Sequence, residues 1–398
     1  MKKRTEVTLY AVLIVFAVLL VFIGNKWATS RAVMFQGMTG RFTDREIVRV
    51  DAVLDTSETD TVSDGIVIMT ATEIKFSSTV ILGENKGQTI LATQTYDTMT
   101  TRIPTPVRKG DRIFVYLNAD NSTDWYSGEF IRIDIIALVA AVFFIFLIIF
   151  ARIKGLMTVI ALGLSVLSIF LVFIPSILSG YNVYISAAMI CLYSIMITPF
   201  LIGGFNMKSV ASIMGSTGGV ILAGVLTHLL NVWMRITGIV DEDTMQVAFI
   251  LDEPIDMRAI SFAAILIGAL GSCLDVSMSI ATSMAEMSEL SGVRAFRTLV
   301  SSGMKIGRDI LGTQISTLIM AYIGSSVSVV LLLTAYQSSL IEMMNLEVVI
   351  IELLQMLIGA FTILFTIPAT ALFSAILFSD GSSPGKSSPT PGKVVFRA

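Results

Sequence analysis

The sequence predicts an all-α polytopic membrane bundle of about eight transmembrane helices, with a small extracytoplasmic all-β domain inserted between helices 1 and 2. Three observations carry that expectation. Hydrophobic residues fill 54% of the 398 positions and charged residues only 14%, well below the roughly 25% charged of soluble domains. Eight stretches meet or approach the roughly 20 apolar residues that a ~30 Å bilayer core requires. Between the first and second of them the pattern changes to short alternating runs bounded by Gly, Asp, Asn and Pro, the signature of strands.

The first stretch, near 7–24, reads "VTLYAVLIVFAVLLVFI" behind "MKKR". A signal peptide competes with an anchor here, because "ATS" at 28–30 is a passable cleavage site, but the apolar run is long for a signal sequence and favours an uncleaved anchor over 1–25. Residues 26–130 contain "EIVRVDAVL", "GIVIMTATEIKF", "STVILG" and "GDRIFVYLN", which read as an antiparallel β-barrel-like domain large enough for one core. Within it "VRKGDRIFVYL" at 107–117 reads as a turn feeding a strand, an arrangement of small barrels of the OB or lipoyl-like kind. The remaining spans lie near 131–151, 156–178, 181–205, 209–237, 259–285, 310–336 and 349–378, a seven-helix bundle over 131–378. The tail, 379–398, is rich in Ser, Pro and Gly and reads as disordered.

Orientation follows from the basic residues. Placing "MKKR", Arg152, Lys154, Lys208, Arg294, Arg297, Lys305, Arg308 and the tail's Lys386, Lys393 and Arg397 inside leaves Asp241, Glu242, Asp243, Asp252, Glu253 and Asp256 in the outer loops. Both termini are then cytoplasmic, and 26–130 projects outside.

Several function classes lack support. A net charge of −3 with one histidine gives no footprint for nucleic acid. The chain has no phosphate-binding glycine loop, paired CxxC or HExxH, so no cofactor, metal or catalytic set is expected. Cys191 and Cys273 fall inside apolar spans, where cysteine packs as a small hydrophobe.

The candidate chemistry lies in the spans. Asp275 sits in "GALGSCLDVSMSIATSMAEM", 268–287, about sixteen residues from the outer end of its helix and so roughly 24 Å down. A charge at that depth costs about 2.5–3.5 kcal/mol, so it is expected to face a bundle interior or a wet cavity. Helical steps from Asp275 reach Ser261, Gly268, Gly271, Ser272, Ser279, Thr282 and Glu286, a small and polar stripe that serves equally for close helix packing. A second stripe, Thr217, Gly224, His228, Asn231 and Arg235, is also expected to face inward. There His228 suits proton transfer and Asn231 substrate binding, against a packing role for both. Arg308 and Asp309 crowd the entrance of the next span with Gln314 a turn inside, which makes either a possible inner-mouth partner for Asp275, or an ordinary helix-start pair with Lys305. Pro199 and Pro368 mark kinks or hinges.

"GALGSCLDVSMSIATSMAEM", "SSGMKIGRDILGTQISTLIMAYIG" and "GGVILAGVLTHLLNVWMRITGIVDED" together resemble the YibE/F family of bacterial membrane proteins, over about residues 160–378. The resemblance implies a multi-pass architecture in a bacterial membrane. It carries no role over to Asp275, His228 or Asp309.

Three functions are weighed. The leading expectation is a transporter or permease of an unknown small solute or ion, coupled through Asp275. An assembly or sensing protein, whose 26–130 segment binds a protein or envelope partner, is the alternative. An intramembrane hydrolase built on Asp275 and Asp309 is the weakest, because the spacing places one carboxylate deep and the other at the interface. Besides the lipid bilayer no partner is specified by sequence.

Overall fold

The structure, a computed structural model, describes residues 2–30, 42–63, 66–83, 85–97, 105–118, 124–240, 244–245, 255–292, 294–336 and 339–379. The chain divides into two compact units, Phe35–Phe150 and Met1–Met34 with Ala151–Ala398. The acidic residues expected in the outer loops at 241–243 and 252–253, and the tail from 380, lie outside the described residues.

The first unit contains a closed five-stranded barrel. Strands β1 (Phe42–Ser63), β2 (Ile66–Leu82), β3 (Thr89–Asp97), β4 (Arg112–Asn118) and β5 (Trp125–Phe130) follow the order β1-β2-β3-β5-β4. All pairs are antiparallel except β3 with β5, and the closed barrel agrees with the β-barrel-like domain expected here. Alternation supplies the core: Val48, Val50, Phe76, Val80, Ala92, Ile113 and Val115 are buried, those sharing a strand being two or four residues apart and so on one face. Gln94 is the polar member of this interior. Its amide donates to Thr105 O (3.1 Å) and accepts from Val107 N (3.0 Å), so both ends of the buried amide are satisfied. The turn into β4 has Gly110 at φ +94°, with Arg108 N donating to Asp111 Oδ2 (2.7 Å). The β1–β2 ladder continues to Ser63↔Ile66, whereas β3 pairs with β2 only as far as Ala71↔Asp97. The hairpin therefore outruns the barrel.

The helical unit begins with α1 (Lys2–Ala28). Its Leu13 and Ala17 are buried with Ala161, Leu164, Ile197 and Leu201, Tyr193 donates to Ala17 O (3.3 Å), and Trp27 stacks on Tyr181 at 4.1 Å. Next come α2 (Ile133–Ser168), a π-helical turn (Ile169–Phe173) and α3 (Ile174–Leu178). Two helices meet at a kink at Arg152 within α2, in line with the separate spans expected at 131–151 and 156–178. Ile133–Leu178 is one 46-residue apolar helical stretch, broken where Arg152 adopts φ 53°, ψ −127°. "ARIKG" supplies no Pro and no run of turn residues, so the helix resumes at once instead of forming a loop. Seven helical stretches among the described residues are long and apolar enough to cross a membrane, the 46-residue one of them containing the kink at Arg152.

The core follows: α4 (Val183–Gly203), α5 (Met207–Trp233), α6 (Met257–Ser291), α7 (Phe296–Tyr336), the short α8 (Leu340–Asn345) and α9 (Glu347–Phe378). Helix α9 is central and packs against α5, α6 and α7. Glycines spaced by four allow this on two sides: Gly215 and Gly219 of α5 face Thr370 and Thr366, while Gly303 and Gly307 of α7 face Ala371 and Ile367. A Cβ at any of the four would come within 2.5 Å of a neighbouring atom, so backbone approach at these points requires glycine. Pro199 and Pro368 lie inside continuous helices.

Candidate functional site

Helix α6 has two polar faces, and packing chooses between them. Ser277 Oγ lies 2.7 Å from Ser212 Oγ on α5, and Cys273 Sγ lies 2.8 Å from Thr366 Oγ1 on α9. These bonds set the rotation of α6 with Cys273 and Ser277 inward. Asp275, two residues from each, is turned by about 200°. It is exposed on the chain, as are Gly271, Ser279 and Glu286, while Gly268, Ser272 and Thr282 are half-buried and Ser261 is buried. This corrects the expectation that the stripe faces the interior. The Ser279 hydroxyl donates to its own helix, at Asp275 O (2.8 Å), and the Asp275 carboxylate has no partner among the described residues.

Helix α7 runs beside this face. Contacts of Gly268 with Tyr322 and of Gly303 with Met284 bracket Asp275 between the levels of Gly312 and Ile315. Around that level α7 exposes Gly312, Thr313, Ser316 and Thr317, and, about a turn further toward its start, Arg308 and Asp309; Gln314 is half-buried. The three ion pairs among the described residues involve none of these groups, so neither Arg308 nor Asp309 pairs with Asp275. The α6 stripe ends at a cavity of about 710 Å³ lined by Phe205, Lys208, Glu286, Glu289, Arg294 and Phe378 among others. Charged groups of both signs thus ring the end of a line of small and hydroxyl side chains that begins with Asp275.

The second stripe divides as well. The inward row of α5 is Ala211, Gly215, Gly219, Ala223, Thr227 and Asn231, all buried and spaced by four. His228 is one residue, about 100°, off that row. It is exposed and meets Tyr184 edge-on at 6.4 Å. Arg235 is exposed too, at φ 54°. Asn231 is 7% exposed and its Oδ1 has no partner. The structure does not bring His228 and Asp275 onto one path.

The family model described as YibE/F-like protein matches residues 139–380, more than half of the chain. The chain belongs to the YibE/F-like family. No curated protein and no solved structure matches it. The matched region of this YibE/F-like protein takes in α4 to α9 whole, and with them the α6–α7 face and the cavity at its end; the barrel strands precede it.

One set of residues in the YibE/F-like region escaped the sequence reading. Thr362, Thr366, Thr370 and Ser374 of α9 are fully buried and spaced by four, facing Ser212 and Ser216 of α5 and Cys273 and Ser277 of α6. Thr362 and Thr366 return their hydroxyls to the carbonyls one turn back, both at 2.7 Å; Thr370 and Ser374 have no partner. The signal was the four-residue repeat itself. At the opposite end of the bundle Glu347 accepts from Thr237 N (2.7 Å), Gly238 N (2.6 Å) and the Thr237 hydroxyl, tying the start of α9 to the turn after α5.

Proposed function

We propose that this YibE/F-like protein is a permease subunit that moves a small cation, or a solute coupled to one, along the α6–α7 face, with Asp275 as the charge-bearing station. One observation carries the reading: an unpartnered carboxylate midway along an apolar helix, in a line of small and hydroxyl side chains ending at a charged cavity. Against lipid, that carboxylate costs about 2.5–3.5 kcal/mol. Water and a second protein surface remove the penalty, and the chain walls the line on one side only. The other wall comes from a second copy or a partner subunit, and the driving energy from an ion gradient or that partner.

The disposition of charge supports an orientation. Tyr10 of α1 meets Phe205, so the basic start of α1 lies at the end of the bundle that carries Lys208, Arg294 and the end of α9. The positive-inside rule places that end, and both termini, in the cytoplasm of a bacterial cell. The test is flux of protons and monovalent cations into vesicles containing the purified chain. Asp275→Asn is expected to abolish flux while leaving insertion and oligomeric state unchanged; wild-type flux in that variant refutes the role.

A second reading rests on the barrel. In other barrels of this strand order the β2–β3 face and the adjoining loops are recognition surfaces, and here the β1–β2 hairpin extends beyond the barrel. An assembly or sensing protein that captures an envelope component uses such a surface. Capture of a partner by residues 26–130, with no flux through the full chain, favours this reading over transport.

A further inference from the structure

Helices α7 and α9 approach closely along only part of their length. Gly303 and Gly307 set the contact near one end, and Gly359 admits Leu318 midway. Toward α8 the pattern stops, and a Cβ at Gly324 would meet nothing within 4 Å. There the two helices leave a cleft of about 380 Å³ between them, lined by Tyr322, Ser326 and Val330 of α7 and by Val349, Glu352 and Met356 of α9, with further Val, Leu and Ile side chains.

Two unpartnered oxygens interrupt this apolar wall, beside the hydroxyls of Tyr322 and Thr334. Ser326 is 7% exposed and its hydroxyl has no partner, although its neighbour Ser325 donates to Tyr322 O (2.8 Å) as helix serines commonly do. Glu352 Oε2 is likewise buried and unpartnered. A carboxylate oxygen and a hydroxyl in one apolar cleft are both able to accept hydrogen bonds, and no donor among the described residues bonds to either, the Tyr322 and Thr334 hydroxyls on the same wall included. A bare cation compensates the carboxylate but leaves the cleft empty, a neutral alcohol fills the cleft without compensating the charge, and an anion is repelled. An ammonium has three donors and a positive charge, and bonds to a carboxylate are the stronger, charge-assisted kind. The depth suits such a head: Glu352 lies in the second turn of α9, whose 32 residues span roughly 48 Å against a core of about 30 Å, so it sits near the membrane interface.

We propose that the α7–α9 cleft binds an amphiphile with a single ammonium head and an apolar body, the head held by Glu352 and Ser326 and the body lying along the valines of both helices. The head belongs either to an ethanolamine phospholipid or to a free long-chain amine. The site is separate from the α6–α7 face and stands or falls independently of the transport reading.

The test uses the purified full chain at pH 7, with dodecylamine and dodecanol as probes in detergent, and with nanodiscs of phosphatidylethanolamine or phosphatidylcholine whose retained lipid is counted by native mass spectrometry. Wild type is expected to bind dodecylammonium at least about tenfold more tightly than dodecanol, and E352Q to lose that preference. S326V removes an unpartnered buried hydroxyl and adds a methyl to the cleft, a change that stabilises the fold, so it reports on binding even where E352Q fails to fold; it is expected to weaken dodecylammonium binding about threefold or more. Retention of phosphatidylethanolamine over phosphatidylcholine, lost in both variants, assigns the head to a lipid. Dodecylammonium binding without lipid retention assigns it to a free amine. Equal affinity of wild type for amine and alcohol, or undiminished amine binding by S326V, overturns the proposal.

Discussion

Replacing Gly219 by alanine tests the packing that sets the rotation of α6. The new methyl would lie 2.1 Å from Thr366 Oγ1 and 2.4 Å from Cys273 Sγ, short of the 3.4 Å of ordinary contact by 1 Å or more on both sides. Neither neighbour gives way freely: Thr366 Oγ1 lies 2.8 Å from Cys273 Sγ and donates to Thr362 O at 2.7 Å. Overpacking of this kind costs about 1–3 kcal/mol, the interhelical bond adds about 0.6 kcal/mol when lost, and the better helix propensity of alanine returns about 0.8–1.0 kcal/mol. The expected balance is a loss of about 2 kcal/mol. Reversible unfolding in mixed micelles titrated with dodecyl sulfate measures it, with Gly271→Ala as the control, since a Cβ there meets nothing within 4 Å and propensity alone should stabilise by up to about 1 kcal/mol. Adding Thr366→Ala to Gly219→Ala removes the clashing oxygen and should recover part of the loss. Gly219→Ala as stable as Gly271→Ala would refute the claim that backbone contact at this crossing holds α5, α6 and α9 together.

Two further outcomes follow from other contacts. Gln94→Leu strands Val107 N–H and Thr105 O inside the barrel, and at about 1–3 kcal/mol per orphaned group should lower the urea midpoint of the barrel fragment with its m-value unchanged; an unaltered midpoint contradicts the anchoring role. Glu347→Ala frees the amides of Thr237 and Gly238, so their hydrogen exchange should accelerate by about tenfold or more, and exchange at the wild-type rate means the turn holds itself.

The apolar helices and the barrel were legible because each rests on a period that the chain displays over many residues. Alternation in "EIVRVDAVL" and "GDRIFVYLN" needs only the pleat to become a barrel wall. The break at Arg152 was legible in place, from the trio "RIK" at 152–154, but not in form. A polar trio between two apolar stretches reads as a loop, yet a single residue leaving helical dihedrals serves the same purpose. His228 shows the limit of periodicity: steps of three, four and seven all count as one face on paper, whereas the buried side of α5 near its end keeps Ala223, Thr227 and Asn231 and leaves His228 exposed.

Asp275 was legible as the residue to explain, but not its direction, because both sides of α6 carry the small and polar types that helix interfaces favour. The difference lies in who satisfies them. Ser277 and Cys273 bond to Ser212 and Thr366 within the chain, which gives them a complete structural account. Asp275 offers a carboxylate with up to four acceptor sites and receives nothing from its own chain. A penalty of about 2.5–3.5 kcal/mol is a large part of the roughly 5–15 kcal/mol by which folded proteins are stable, so a carboxylate left against acyl chains is hard to sustain. The inward face of α6 therefore holds the bundle together, and its outward face carries a carboxylate that no described residue pairs with.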